Sequence, residues 1–242
     1  SVTVPEDAAP GDYRGTLSIA LSFRDGGSER IAVDISLRVR PFSLPGRPSF
    51  HHTEWFSPGI LADHYRLERW GEAHWTWIER VARDMSRHRQ DMINTDLPDL
   101  VDVTERPGGR LEFGFPRLDR WLDVFQSAGV EWIEGGHIAG RTGGWESPFG
   151  LNRWRPRNEA GRPVDTSRKK MSDSRFSRYT ESLLKAVHAH LKGRGLASRY
   201  VQHVADEPIP ANEESWKALA AKVKKWLPEV RRIDAIETGG LK

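Results

Sequence analysis

Two stretches near the start of the chain alternate apolar and polar positions with a period of two. Leu17, Ile19, Leu21 and Phe23 make the first, and Ile31, Val33, Ile35, Leu37 and Val39 the second. Such alternation places every apolar side chain on one face of a half-buried antiparallel strand. Asp25-Gly26-Gly27 between them reads as a hairpin turn. Pro5 to Gly11 reads as a second turn after an opening strand-like stretch at Ser1. Strands with a single apolar face need a second sheet to cover it. Residues 1–46 therefore read as the C-terminal strands of a β-sandwich plus most of a proline-rich linker, which runs from Pro41 to Pro48.

After Ser49 the rhythm becomes strand, helix, strand, helix. Phe50 to Phe56 reads as a strand, and Leu67, Trp70, His74, Trp77, Ile78, Val81 and Met85 fall at helical spacing. Asp91 to Leu97, Val130 to Ile138 and Tyr200 to Ala205 read as further strands, and Ile233 to Ile236 as the start of a fifth. Helices are marked by Leu118, Trp121, Leu122 and Phe125, by Phe176 through Leu191, and by Trp216 through Trp226. Pro107-Gly108-Gly109 joins a small inserted hairpin, and Ala139 to Ser172 reads as a loop of about thirty residues, a length usually kept for function. Regular alternation of strand and helix implies a parallel sheet, either doubly wound or closed as a (β/α)8 barrel. No glycine-rich phosphate turn follows the first strand, which weakens the dinucleotide-binding form. Five strands are too few to close an eight-stranded barrel, so residues 47–242 read as a truncated one.

Composition narrows the chemistry. The 242 residues include no Cys, which removes disulfide scaffolds, thiolate metal sites and cysteine nucleophiles together. No run approaches the roughly 18 apolar residues of a membrane span. The formal net charge is +3. Basic residues are scattered, with one short cluster at Arg168-Lys169-Lys170 that reads as a solvated loop, so no nucleic-acid partner is expected. The chain opens without Met or a leader, and reads as part of a longer polypeptide. Export and cytoplasmic residence both stay open. Ten Trp are many for this length. Trp70, Trp77, Trp121, Trp216 and Trp226 fall at core spacing, whereas Trp55, Trp145 and Trp154 sit where aromatic faces stack on sugars.

Active sites of parallel α/β proteins form at the carboxyl ends of the strands. Those positions hold Glu54 and Trp55, then Asn94 to Asp96, then Glu134, Gly136, His137 and Arg141, then Asp206-Glu207-Pro208. Two adjacent carboxylates repel, which keeps one protonated as a general acid while the other stays anionic. Both reach one site only where the strand breaks, and Pro208 marks such a break. The plainer alternative is an acidic, solvated lead-in to the next helix. His137 follows Glu134 by three, a spacing that fits a hydrogen-bonded pair as well as a metal site, and the former is favoured here. His51-His52 and His188/His190 lack the spacing for a shared metal.

Trp55-Phe56, Arg87-His88-Arg89-Gln90, Asp119-Arg120-Trp121, Ile133 through His137 and Gln202 through Pro208 together resemble one family. They are similar to the catalytic domain of the domain-of-unknown-function 4091 proteins, related to glycoside hydrolase family 123 and its β-N-acetylgalactosaminidases. The resemblance runs from about Leu44 to the C-terminus. It implies a (β/α)8 barrel, a retaining substrate-assisted mechanism, an oligosaccharide or glycoconjugate substrate, and neither cofactor nor metal. It implies Glu207 as acid and base and Asp206 as the partner of the substrate's acetamido group. Trp55, Arg89, Glu134, His137, Arg141 and His203 are then expected sugar contacts. A non-catalytic carbohydrate-binding protein and a metal-dependent hydrolase using His137, Glu134 and Asp206 are the rival expectations.

Overall fold

The computed structural model describes residues 2–152, 156–164 and 174–236. Trp154 and the Arg168-Lys169-Lys170 cluster lie outside the described residues. Two units divide the chain, Ser1–Ser49 and Phe50–Lys242.

In the first unit, β1 (Gly11–Ser22) pairs antiparallel with β2 (Ser28–Val39). Leu17 lies opposite Val33 and Ile19 opposite Ile31, so the apolar alternation of both strands falls on one face. The other face carries polar pairs: Arg38 Nε donates to Asp12 Oδ1 at 2.6 Å, and Thr16 Oγ1 to Asp34 Oδ1 at 3.2 Å. Gly26 closes the turn at φ 87°, where a side chain would be strained. Val2 to Val4 form no strand. The unit thus shows two strands where three were expected, because the short opening stretch finds no partner among the described residues.

The second unit begins with Thr53 in a lone parallel bridge to Met92, not with the strand expected over Phe50 to Phe56. The helix expected from Leu67 to Met85 begins only at Glu72, and a separate short helix that was not expected precedes it. Ser57 caps α1 (Pro58–Tyr65) by accepting the Ile60 N–H, and the left-handed Arg66 ends it at φ 53°. Trp70, itself left-handed at φ 66°, leads into α2 (Glu72–Arg87). That helix buries His74, Trp75, Ile78 and Ala82. Trp75 rather than Trp77 therefore carries the core contact, while Trp77 stacks on Tyr65 with 3.8 Å between ring centroids.

Next come β3 (Met92–Thr95), the short α3 (Leu97–Leu100), and the hairpin of β4 (Asp102–Glu105) with β5 (Leu111–Gly114). Pro116 opens α4 (Pro116–Ala128), and the left-handed Gly129 stops it at φ 95°. Its buried stripe of Leu118, Trp121, Leu122 and Phe125 follows the spacing of one helix face. Beyond it lie β6 (Trp132–Gly135), β7 (Ala139–Arg141), β8 (Phe149–Leu151), α5 (Ser174–Gly193), β9 (Tyr200–His203), α6 (Glu213–Trp226) and β10 (Arg231–Ile233). The loop expected from Ala139 thus begins as an antiparallel hairpin of β7 and β8.

Four strands form one parallel sheet in the order β3-β6-β9-β10, which is also their order along the chain. The Thr53 bridge extends it at the β3 edge. All four residues of β9 are buried, as expected for a parallel strand covered on both faces. Ile93, Ile133 and Val204 from the sheet region join the helix stripes in one apolar core. Each fully buried side chain of this kind contributes about 1.5–3 kcal/mol.

Candidate active site

The parallel register aligns the carboxyl ends of Thr53, β3, β6 and β9, and Glu134 of β6 lies at their centre. It is Cα partner to Asn94 on one side and Val201 on the other. Its side chain is only 1% exposed, so each oxygen needs partners. Oε1 accepts from Asn94 Nδ2 at 3.1 Å and meets His203 Nδ1 at 2.7 Å. Oε2 accepts from Thr53 Oγ1 at 2.9 Å and from Trp55 Nε1 at 3.2 Å. Burial alone would raise the carboxyl's pKa, but the His203 and Thr53 hydrogen bonds, the His203 charge and the Trp55 N–H outweigh it. Glu134 is held below the usual range, as a carboxylate.

His203 is gripped from both sides. Opposite Glu134, its Nε2 lies 3.1 Å from Asp234 Oδ1, close enough for an ion pair though off the line of a good hydrogen bond. Burial would lower the imidazole's pKa, but contacts with Asp234 and Glu134 carry it up to about 9, so the ring is a cation at neutral pH. Asp234 also accepts the Ala205 N–H at 3.0 Å and the Trp216 indole N–H at 3.1 Å. Trp216, expected in the core, is only half-buried, with its N–H turned inward to Asp234. Over this charged layer sits His137, 4.0 Å from the His203 ring and 4.9 Å from Trp55 between centroids. Its pKa is lowered by burial and by the neighbouring His203 charge, so it stays neutral. His137 Nε2 is buried without a hydrogen-bond partner and lies 3.9 Å from Asp206 Oδ1.

Asp206 and Glu207 follow β9 where the strand gives way to a turn. Glu207 is left-handed at φ 46°, a conformation that costs a non-glycine residue about 1 kcal/mol or more. Departure from extended geometry at this point breaks the alternation that would send neighbours to opposite faces. The Asp206 side chain is 46% exposed and Glu207 is part-exposed, so both can meet a bound molecule. Arg141, at the end of β7, donates from Nη1 to Asp206 O at 3.2 Å and from Nη2 to Glu207 O at 2.7 Å.

Of the residues expected from sequence, Trp55, Glu134, His137, His203, Asp206 and Arg141 are brought into one connected cluster. Arg89 is not: it lies in the turn from α2 to β3, at the amino end of that strand, with φ 66°. Trp55 is 48% exposed and also lines a cavity of about 620 Å³ with His52, Glu54, Trp77, Arg80 and Gln90. A second cavity of about 690 Å³ runs beside β10 and α6, past Trp216, Ile233 and Asp234. Sequence reading missed Thr53 and Asp234. The rule that picked out the other strand ends applies equally to Asp234, which follows β10 directly. Among the described residues no group of three or more His, Asp or Glu is placed to hold a metal ion.

A parallel α/β unit with carboxylates gathered at its strand ends belongs to a common class of catalytic domain, and comparison with known proteins narrows it to the glycoside hydrolases. The family described as glycoside hydrolase 123, catalytic domain, matches residues 55–241, and the chain belongs to this family. Among solved structures the chain is similar to a family 123 glycoside hydrolase from Clostridium perfringens, studied for glycolipid glycan hydrolysis. The TM-score is 0.71 at 16% identity, over 97% of this chain and 43% of that one. The chain thus spans less than half the length of that relative. No curated protein matches. Among the described residues no helix is long and apolar enough to cross a membrane.

Proposed function

We propose that the protein hydrolyses a β-linked 2-acetamido-hexoside, of N-acetylgalactosaminide type, with retention of configuration and with the substrate as its own nucleophile. The adjacency of Asp206 and Glu207 at the close of β9, beside the fixed His203–Glu134 pair, carries this reading. Glu207 protonates the glycosidic oxygen while the acetamido carbonyl oxygen bonds to the anomeric carbon. The aglycone leaves as an alcohol, and an oxazolinium ring remains on the sugar. Asp206 accepts the acetamido N–H and balances the positive charge of that ring. Glu207, now a carboxylate, then takes a proton from a water molecule as its oxygen attacks the anomeric carbon and reopens the ring. Two inversions restore the starting configuration. Substrate assistance of this kind departs from the usual arrangement of two enzyme carboxylates.

Trp55 and His137 are the proposed sugar contacts, because both present part-exposed rings that pack on each other, with His137 beside Asp206. Glu134 and His203, with their polar atoms facing protein partners, support those rings from below. Sequential parallel strand order supports a (β/α)8 barrel as the complete catalytic domain, and the hairpin of β1 and β2 supports a preceding β-sandwich. A glycoconjugate is the proposed natural substrate, in keeping with the glycolipid glycans of the clostridial relative.

The test is hydrolysis by the full polypeptide of an aryl 2-acetamido-2-deoxy-β-galactoside compared with the aryl β-galactoside bearing a 2-hydroxyl. Cleavage of the first alone is expected. Equal cleavage of both would remove the substrate-assisted mechanism, and binding without cleavage would favour a carbohydrate-binding protein.

A further inference from the structure

We infer that Arg141 is a positioning residue, which holds the main chain of Asp206 and Glu207 in place through their carbonyl oxygens instead of binding the sugar. The inference rests on the reading of those two residues as the reacting pair. A guanidinium offers five N–H donors in a planar fork. Here three of its nitrogens are engaged by carbonyl oxygens: Nε by Trp145 O at 2.8 Å, Nη1 by Asp206 O at 3.2 Å and Nη2 by Glu207 O at 2.7 Å. Its flat face lies over the Trp145 ring, 3.8 Å from the centroid, and 5.1 Å from that of Phe149. All three nitrogens and one face of the guanidinium are thus engaged by protein, with one N–H on each Nη left over.

The hairpin that carries Arg141 is itself tied down on either side of the turn. The N–H groups of Ile138 and Ala139 both donate to Val204 O, at 3.2 and 3.1 Å. On the far side, Asn212 Nδ2 donates to Trp145 O at 3.2 Å, and the Phe149 N–H to Ser215 Oγ at 2.9 Å. Between these two anchorages the chain passes through Asp206 and the left-handed Glu207, where Arg141 makes the bridging contact. A strained residue keeps its conformation only where its surroundings over-determine it. Lysine cannot replace this arrangement, because one ammonium group has neither the planar fork nor the face that covers Trp145.

Arg141→Ala and Arg141→Lys, made in the full polypeptide, test the inference by two independent readouts. Amide hydrogen exchange of the segment from Asp206 to Asn212 is expected to quicken about tenfold or more in both variants, while β6 and β9 keep their protection. In glycoside hydrolysis kcat is expected to fall about tenfold to a hundredfold with KM within about twofold, since small misplacement of reacting groups acts on turnover. Millimolar guanidinium ion should restore part of the kcat of the Ala variant. Unchanged exchange in the turn overturns the inference, as does a raised KM with kcat retained. If the unsubstituted protein cleaves no glycoside, the functional reading fails, and the exchange measurement alone decides the role of Arg141.

Discussion

His203 Nδ1 lies 2.7 Å from Glu134 Oε1, and both side chains are buried beneath the carboxyl ends of β6 and β9. The pair is completed by Asp234 on the other imidazole nitrogen. A cation flanked by two anions in the interior is a rigid support, since removing any member leaves an uncompensated charge or an unpaired donor. Stability should therefore depend on pH through His203. Its folded-state pKa is about 9 against an ordinary 6.5, so its contribution is full below about pH 6.5 and is lost as the pH rises through 9. His137, with its pKa lowered, acts in the opposite sense and weakens the fold as the pH falls below 6.5. Thermal unfolding between pH 6 and 10 should show a falling midpoint, and His203→Gln should flatten that fall. An unaltered slope in the variant would contradict the assignment.

Glu134→Gln keeps the shape of the side chain but sets an amide among donors. One of its two ends then faces Thr53 and Trp55, or Asn94 and His203, with an N–H₂ group. Breaking a buried pair from one side is expected to destabilise by about 3–5 kcal/mol. Urea denaturation of the variant against the parent measures it.

Asp234→Ala removes the acceptor of two N–H groups, Ala205 and Trp216. Each buried donor left without a partner costs about 1–3 kcal/mol. The indole of Trp216 should report the change through its fluorescence, and glycoside turnover should fall because Ala205 directly precedes Asp206. Parental stability and turnover together would remove Asp234 from the supporting layer.

Gly135 is required by close packing. A Cβ there would lie 2.6 Å from both Gln202 Oε1 and Tyr200 Oη, which are hydrogen-bonded to each other in the interior. Gln202 cannot easily withdraw, since its amide nitrogen donates to the carbonyls of Gly136 and His203 at 2.9 and 2.7 Å. Gly135→Ala is expected to destabilise by about 1–3 kcal/mol through overpacking, read by chemical denaturation.

Much of the fold was legible because periodicity survives in single elements. The stripe of Leu118, Trp121, Leu122 and Phe125 needs only a helix to explain it, and the alternation from Ile31 to Val39 only a strand. Elements without a period were not legible. Three-residue strands such as β7 and β8 leave no pattern, and Thr53 makes one bridge whose meaning lies in Met92, 39 positions onward. The same holds within the site. Asp206-Glu207-Pro208 announces itself as two acids before a proline. Glu134 was visible as a strand-end acid, yet nothing in its neighbours along the chain reveals that four donors from other elements saturate it. Arg141 likewise carries a charge that sequence alone assigns to a ligand, whereas its partners are main-chain carbonyls, two of them 65 and 66 positions away.

The central proposition concerns Glu207 as proton donor, and leaving-group dependence tests it most directly. The kcat/KM of Glu207→Gln, which reports the bond-breaking step alone, should be measured on 2-acetamido-β-glycosides that carry either an alkyl alcohol or an activated dinitrophenol as aglycone. Loss of general acid catalysis is expected to lower kcat/KM for the alkyl glycoside by about 10² to 10⁴-fold, and to spare kcat/KM for the dinitrophenyl glycoside, whose aglycone departs without protonation. Equal loss on both substrates, or no loss on the alkyl glycoside, would contradict the account.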